Sequence, residues 1–144
     1  MTKKIFRSII TVAMTVLLAS IVIATSFLYD YFNKTQIAGL KDELSLVAAN
    51  VEKTGPDYFK NYYSSVFRFT LVSSDGTVLY DTQAYAADME NHIDREEIKE
   101  ALKNGSGSSA RYSSTFTEKT LYESVLLQNG NVLRVSASQM TVGA

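Results

Sequence analysis

The 144-residue chain has no cysteine, one histidine and one proline. Without cysteine there are no disulfides and no thiolate-ligated metal sites, though the compartment stays open because exported domains also fold without them. One histidine and no thiol leave little from which to build a nucleophile and its base, and no G-x-S-x-G elbow occurs, so the sequence argues against a hydrolase. An excess of positive charge is also missing. Three of the 14 Lys and Arg residues (Lys3, Lys4, Arg7) precede the first apolar run, which leaves 11 against 15 Asp and Glu from residue 30 onward. A phosphate-binding surface needs the opposite balance, so no nucleic acid is expected as a partner. The composition, 46% hydrophobic and 20% charged, is that of a folding domain rather than a disordered tail.

Charge of either sign is absent from Ser8 to Tyr29, a run of 22 residues. As a helix it extends about 33 Å, enough to cross a bilayer. Lys3, Lys4 and Arg7 on its leading side predict a cytoplasmic N-terminus, and Phe27, Tyr29, Tyr31 and Phe32 supply an aromatic belt at the far interface. The rival is a cleaved leader at the small pair Ala24 and Ser26, but the run exceeds the ~7–15 residues of a signal core. The membrane is therefore the first expected partner. The division read from sequence is a cytoplasmic N-terminus (1–7), a membrane span (8–29), a membrane-proximal helix (30–54), an extracytoplasmic domain (55–138) and a tail (139–144).

Beyond the span, Ile37, Leu40, Leu44, Val47 and Val51 recur at spacings of three and four, the a/d pattern of a helix seam. Such a seam serves either a second copy or the helix's own domain, and a parallel homodimer is the expectation carried forward. Gly55-Pro56 should end the helix. A short aromatic helix is expected over 57–64. Phe67, Phe69 and Leu71, then Asp75-Gly76, then Val78–Tyr80 read as a β-hairpin. Asp94 and Glu97 have capping-box spacing, opening a helix with Ile98, Ala101 and Leu102 inward and closed by Asn104-Gly105. Ala110–Phe116, Leu121–Leu127 and Val132–Ala137 complete three antiparallel strands, the last two joined through Asn129-Gly130. The fold class is α+β, five antiparallel strands with helices expected on one side.

Three segments bear a family likeness. Arg68-Phe-Thr-Leu-Val-Ser-Ser-Asp-Gly-Thr-Val-Leu-Tyr-Asp-Thr82 resembles the R-x-T-x-I-x-x-D-G-x-V-x-x-D-S stretch of many Gram-positive-type sensor histidine kinases. Met89 to Leu102 is similar to their M-x-N-H-x-x-R-x-E-I-x-x-A-L, and Gly105 to Thr115 to their G-x-G-x-x-x-R-x-S-x-T. The resemblance implies a PAS-like (Cache-type) extracytoplasmic sensor of a two-component system, with output through a second membrane helix and a cytoplasmic kinase. Because this chain stops at Ala144, it reads as the sensor part alone and not an enzyme as it stands. The same outer domain is also joined to chemoreceptor or cyclic-nucleotide outputs, and a secreted binding protein is the reading from another class.

The resemblance further places Arg68, Asp81, Arg95, Arg111 and Tyr122 around a cavity over the sheet and implies a small organic acid as ligand, which arginines clamp bidentately. Arginine paired internally with Asp81 is the plainer alternative and the favoured one. His92 is followed by Ile-Asp-Arg-Glu rather than the acceptor run of a kinase, so a structural role comes first and a ligand or pH-sensing role second. Gly105 to Ala110 matches a dinucleotide loop only with helix and strand in the wrong order. The acidic residues Asp88, Glu90, Asp94, Glu96, Glu97 and Glu100 lack calcium-loop spacing and read as a solvated face. No metal or cofactor is expected.

Overall fold

In the computed structural model, which describes residues 1–112 and 118–139, helix α1 runs unbroken over Thr2–Thr54. The chain divides within it into two compact units, Met1–Ile37 and the remainder from Ala38. In the first unit large apolar side chains stand bare: Leu17 is 53% and Phe27 74% exposed. Its apolar stretch, with a mean hydropathy of 2.3 and no buried share, is long and apolar enough to cross a membrane.

In the second unit α1 turns amphipathic and buries Leu40, Leu44, Val47, Ala48 and Val51. This is the second of the two uses open to the stripe, packing on the helix's own domain. Leu40, Leu44, Val47 and Val51 are at most 5% exposed within a single chain. A stripe of this spacing is satisfied by any apolar surface, and the domain supplies one. Each such burial contributes about 1.5–3 kcal/mol. Ile37, the fifth member, falls in the first unit and is half-buried.

The helix stops at Thr54 as expected, Gly55 taking φ +70°. The next element is a 3-10 turn over Gly55–Lys60, not an α-helix to residue 64, because Pro56 withholds an N–H and Asn61 N–H closes on Tyr58 O only three residues back. The turn seats Phe59, which stacks on Tyr80 at 5.2 Å and packs against Phe69.

Strands β1 (Arg68–Val72), β2 (Val78–Asp81), β3 (Ser106–Tyr112), β4 (Lys119–Leu126) and β5 (Val132–Ser138) form one antiparallel sheet in the order β2-β1-β5-β4-β3. The register opposes Thr70 to Asp81 and Arg134, Arg134 to Ser124, and Ser124 to Gly107, so these share one face. Helix α2 (Glu96–Asn104) lies on that face, where Ile98 and Ala101 pack on Val72 and Val132. Phe69, Leu133, Val135 and Glu123 alternate to the other face, which meets the aromatic turn through Phe59 and α1 through the cleft shared by Leu44 and Glu123. Helices therefore cover both faces rather than one side.

Two further boundaries differ from the sequence reading. Strand β3 begins at Ser106, not Ala110, since its small residues admit a helix at close range; a Cβ on Gly107 would sit 3.0 Å from Ala101 N. Phe116 lies outside the described residues. The capping box does not form: Arg95 holds the N-cap without a side-chain bond, Asp94 pairs with Lys99 outside the helix, and Glu97 points inward. Gly105 closes α2 at φ +91°, as Asn104-Gly105 predicted.

Candidate functional site

The α2 face of the sheet carries a row of ionised side chains. On β2 the Asp81 carboxylate, with no side-chain exposure, accepts both contacts of Arg68 Nε at 3.0 Å. It also accepts from the Thr70 hydroxyl at 2.7 Å and from the N–H groups of Gln83 and Ala84. Burial alone would raise its pKa, but the Gln83 N–H, the Thr70 hydroxyl and the Arg68 guanidinium outweigh it and hold the group below the usual carboxylate range.

Across the sheet the side chain of Glu97, also wholly buried, takes a fork from Arg111: Nη1 to Oε2 at 2.9 Å and Nη2 to Oε1 at 2.7 Å. Arg134 Nη1 donates to Oε1 at 3.0 Å and the Ser109 hydroxyl to Oε2 at 2.7 Å. Burial opposes ionisation here too, yet Arg111, Ser109 and Arg134 prevail and lower the pKa to about 2. Arg134 Nη2 reaches the Thr70 hydroxyl at 3.2 Å, linking the Glu97 and Asp81 centres into one line. Tyr122 lies beneath, its ring centroid 3.7 Å from Arg111 Cζ and 4.9 Å from Arg134 Cζ. Three guanidinium groups meet two carboxylates, so the row keeps one excess positive charge.

Of the residues singled out from sequence, Arg68, Asp81, Arg111 and Tyr122 join this row. Arg111 pairs with Glu97 and not with Asp81, whose partner is Arg68. Arg95 is exposed at the start of α2 and outside the row. His92 is 5% exposed, and its Nδ1 makes no hydrogen bond. Sequence reasoning missed Glu97, Arg134, Thr70 and Ser109. Glu97 was concealed by its capping-box spacing and its acidic neighbours. Arg134 did leave a signal, as the one charge in an otherwise uncharged Val132–Ser138 strand.

An open cleft of about 470 Å³ adjoins the Asp81 end, lined by Tyr80, Gln83, Ala84 and Tyr85. On the opposite face Glu123, bonded by the Ser108 hydroxyl, is pushed up by burial. Among the described residues no group of His, Cys, Asp and Glu is arranged to hold a metal ion.

No protein-family model matches this chain, and no curated protein does. Among solved structures it is similar to the extracellular domain of a protein assigned as a histidine kinase, rpHK1S-Z16, with a TM-score of 0.46 and 13% identity over 65% of this chain and 39% of that one. A second similarity, with a TM-score of 0.35 and 10% identity, is to the Bacillus subtilis protein YkuI, which has an EAL domain and was solved with its substrate c-di-GMP and calcium. It covers 73% of this chain and 34% of that one. The chain thus spans little more than a third of either.

Proposed function

We propose that this chain is the PAS-like, extracytoplasmic signal-sensing module of a membrane-anchored sensor histidine kinase, with its N-terminus in the cytoplasm. One observation carries the reading. Arg68, Thr70, Asp81, Glu97 and Arg111, five members of the ion-pair row, fall in the three segments through which the sequence resembles that family, each at a fixed position of the motif. A signature made of charges that find one another across β1, β2, α2 and β3 specifies one tertiary arrangement, which a generic α+β domain does not require. The membrane-length apolar helix is the second support. In this reading the chain itself carries no catalysis and works as a dimer. A small carboxylate ligand has to compete with Glu97 or Asp81 for arginines already engaged, which favours a signal acting on the domain's shape over one captured by a free clamp.

The test is topology. With the chain tagged at its C-terminus in spheroplasts, added protease should remove the tag while a membrane-embedded N-terminal fragment persists. A tag protected until the membrane is lysed refutes the reading.

A further inference from the structure

The segment joining β2 to α2 is anchored by one titratable side chain. Between Asp81 and Glu97, His92 is the only buried residue; Tyr85, Asp88 and Glu90 face solvent, and the short 3-10 turn Ala86–Asp88 buries nothing. The segment is held to the β1–β2 turn at the same place. His92 N–H donates to Gly76 O at 2.8 Å, and Asn91 Nδ2 donates to Asp75 O at 3.1 Å. The turn is shaped for this contact: Gly76 sits at φ +89°, and a Cβ there would lie 2.6 Å from Ile93 N.

The surroundings favour the neutral ring, burial and two cations outweighing the backbone of Glu90 and Asn91, which favours the protonated one. Nδ1 is buried without a partner, and the charged groups bearing on it are cations, Arg134 from β5 and Arg95 before α2. The carboxylates nearby are committed elsewhere, Glu97 to Arg111 and Arg134, and Asp75 to Ser73 and Thr77. A second proton on the imidazole would add a buried charge with no counter-ion.

We propose that residues 82–95 form an acid-releasable strap, in which protonation of His92 expels the ring and frees the segment from the β1–β2 turn. Burial, then Arg134 and Arg95, hold the His92 pKa below its ordinary 6.5. Docking is therefore fully stabilised above the unfolded value and lost as pH falls through the lowered folded value. Mild acidification would thus change the shape and mobility of one surface while leaving the ion-pair row, whose carboxylates titrate far lower, intact. Such a strap requires neither a ligand nor a histidine-kinase output.

The chain has a single histidine, so its ring resonances report one site. With the full chain in nanodiscs, hydrogen exchange of residues 82–95, corrected for intrinsic pH dependence, should lose about tenfold or more protection between about pH 7.5 and pH 5, in step with the His92 titration. His92→Gln, which cannot titrate, should abolish that step. Arg95→Gln, at an exposed position, should shift the midpoint to higher pH. Protection that stays constant while the ring protonates overturns the proposal, as does an unchanged step in His92→Gln. If His92→Gln is undocked already at neutral pH, an unmoved midpoint in Arg95→Gln is the overturning result.

Discussion

Glu97 shows how one side chain takes a different role from the one its neighbours suggest. By spacing it completes a capping box, and by composition it belongs to an acidic face; in the fold it accepts four hydrogen bonds from two arginines and a serine. The competition is decided by what lies across the sheet. Arg134 is 4% exposed on a central strand, and a buried guanidinium without a carboxylate costs far more than an unsatisfied helix N-terminus at the surface. Glu97→Gln should therefore destabilise the domain by about 3–5 kcal/mol, the usual consequence of breaking a buried ion pair. Arg95→Ala, which removes an exposed charge, should stay within about 0.5 kcal/mol. Chemical denaturation near neutral pH checks both. The Glu97 contribution has a definite pH window: with its pKa lowered to about 2, it is present above the ordinary 4.5 and lost as pH falls toward 2. The denaturation midpoint of the wild type should decline over that range, and that of Glu97→Gln should decline less.

At the scale of elements, the parts governed by local chemistry were legible in the sequence. The end of α1 at Gly55, the Asp75-Gly76 hairpin, the inward Ile98 and Ala101, and the β4–β5 turn arise from backbone preference and period, which act within a few residues. The parts that were not legible depend on pairings distant along the chain. Arg111 chooses Glu97 over Asp81 because β3 and β2 occupy opposite edges of the sheet, and no spacing rule states strand order. The side taken by the α1 stripe is the same kind of problem. Its residues Leu40, Leu44, Val47 and Val51 turn to the domain, while Leu46 faces outward at 64% exposure, between exposed Asp42 and Lys53. If the module dimerises along α1, the contact runs through this outer face. Single cysteines can be introduced into a chain that has none. A cysteine at Leu46 should crosslink to its counterpart in membranes, and one at Leu44 should not. Efficient crosslinking at Leu44 would mean that α1 leaves its own domain in the dimer.

For the whole molecule, α1 has two different solvents. From Ala38 onward one stripe of it, Leu40, Leu44, Val47, Ala48 and Val51, is covered by protein, whereas between Ile5 and Phe32 the large apolar side chains are covered by nothing in the chain, and water does not tolerate a surface of that length and hydropathy. Lipid satisfies it. The backbone hydrogen bonds of this stretch close within the helix, and Thr11, Thr15 and Ser20 return their hydroxyls to the carbonyls four residues back, so these three side chains do not require water. The chain should accordingly remain in the membrane pellet after carbonate extraction, at the mass of the uncleaved sequence. Release at a mass lacking the residues up to about Ser26 would instead identify a removed leader. Lysine at both Leu17 and Ile21, each costing about 2.5–3.5 kcal/mol near the centre of a span, should move the protein out of the pellet. The same double substitution should leave the melting of the second unit unchanged, because neither position contributes a buried side chain to it. A coupled loss of domain stability would show that the two units depend on each other for folding and do not merely share a helix.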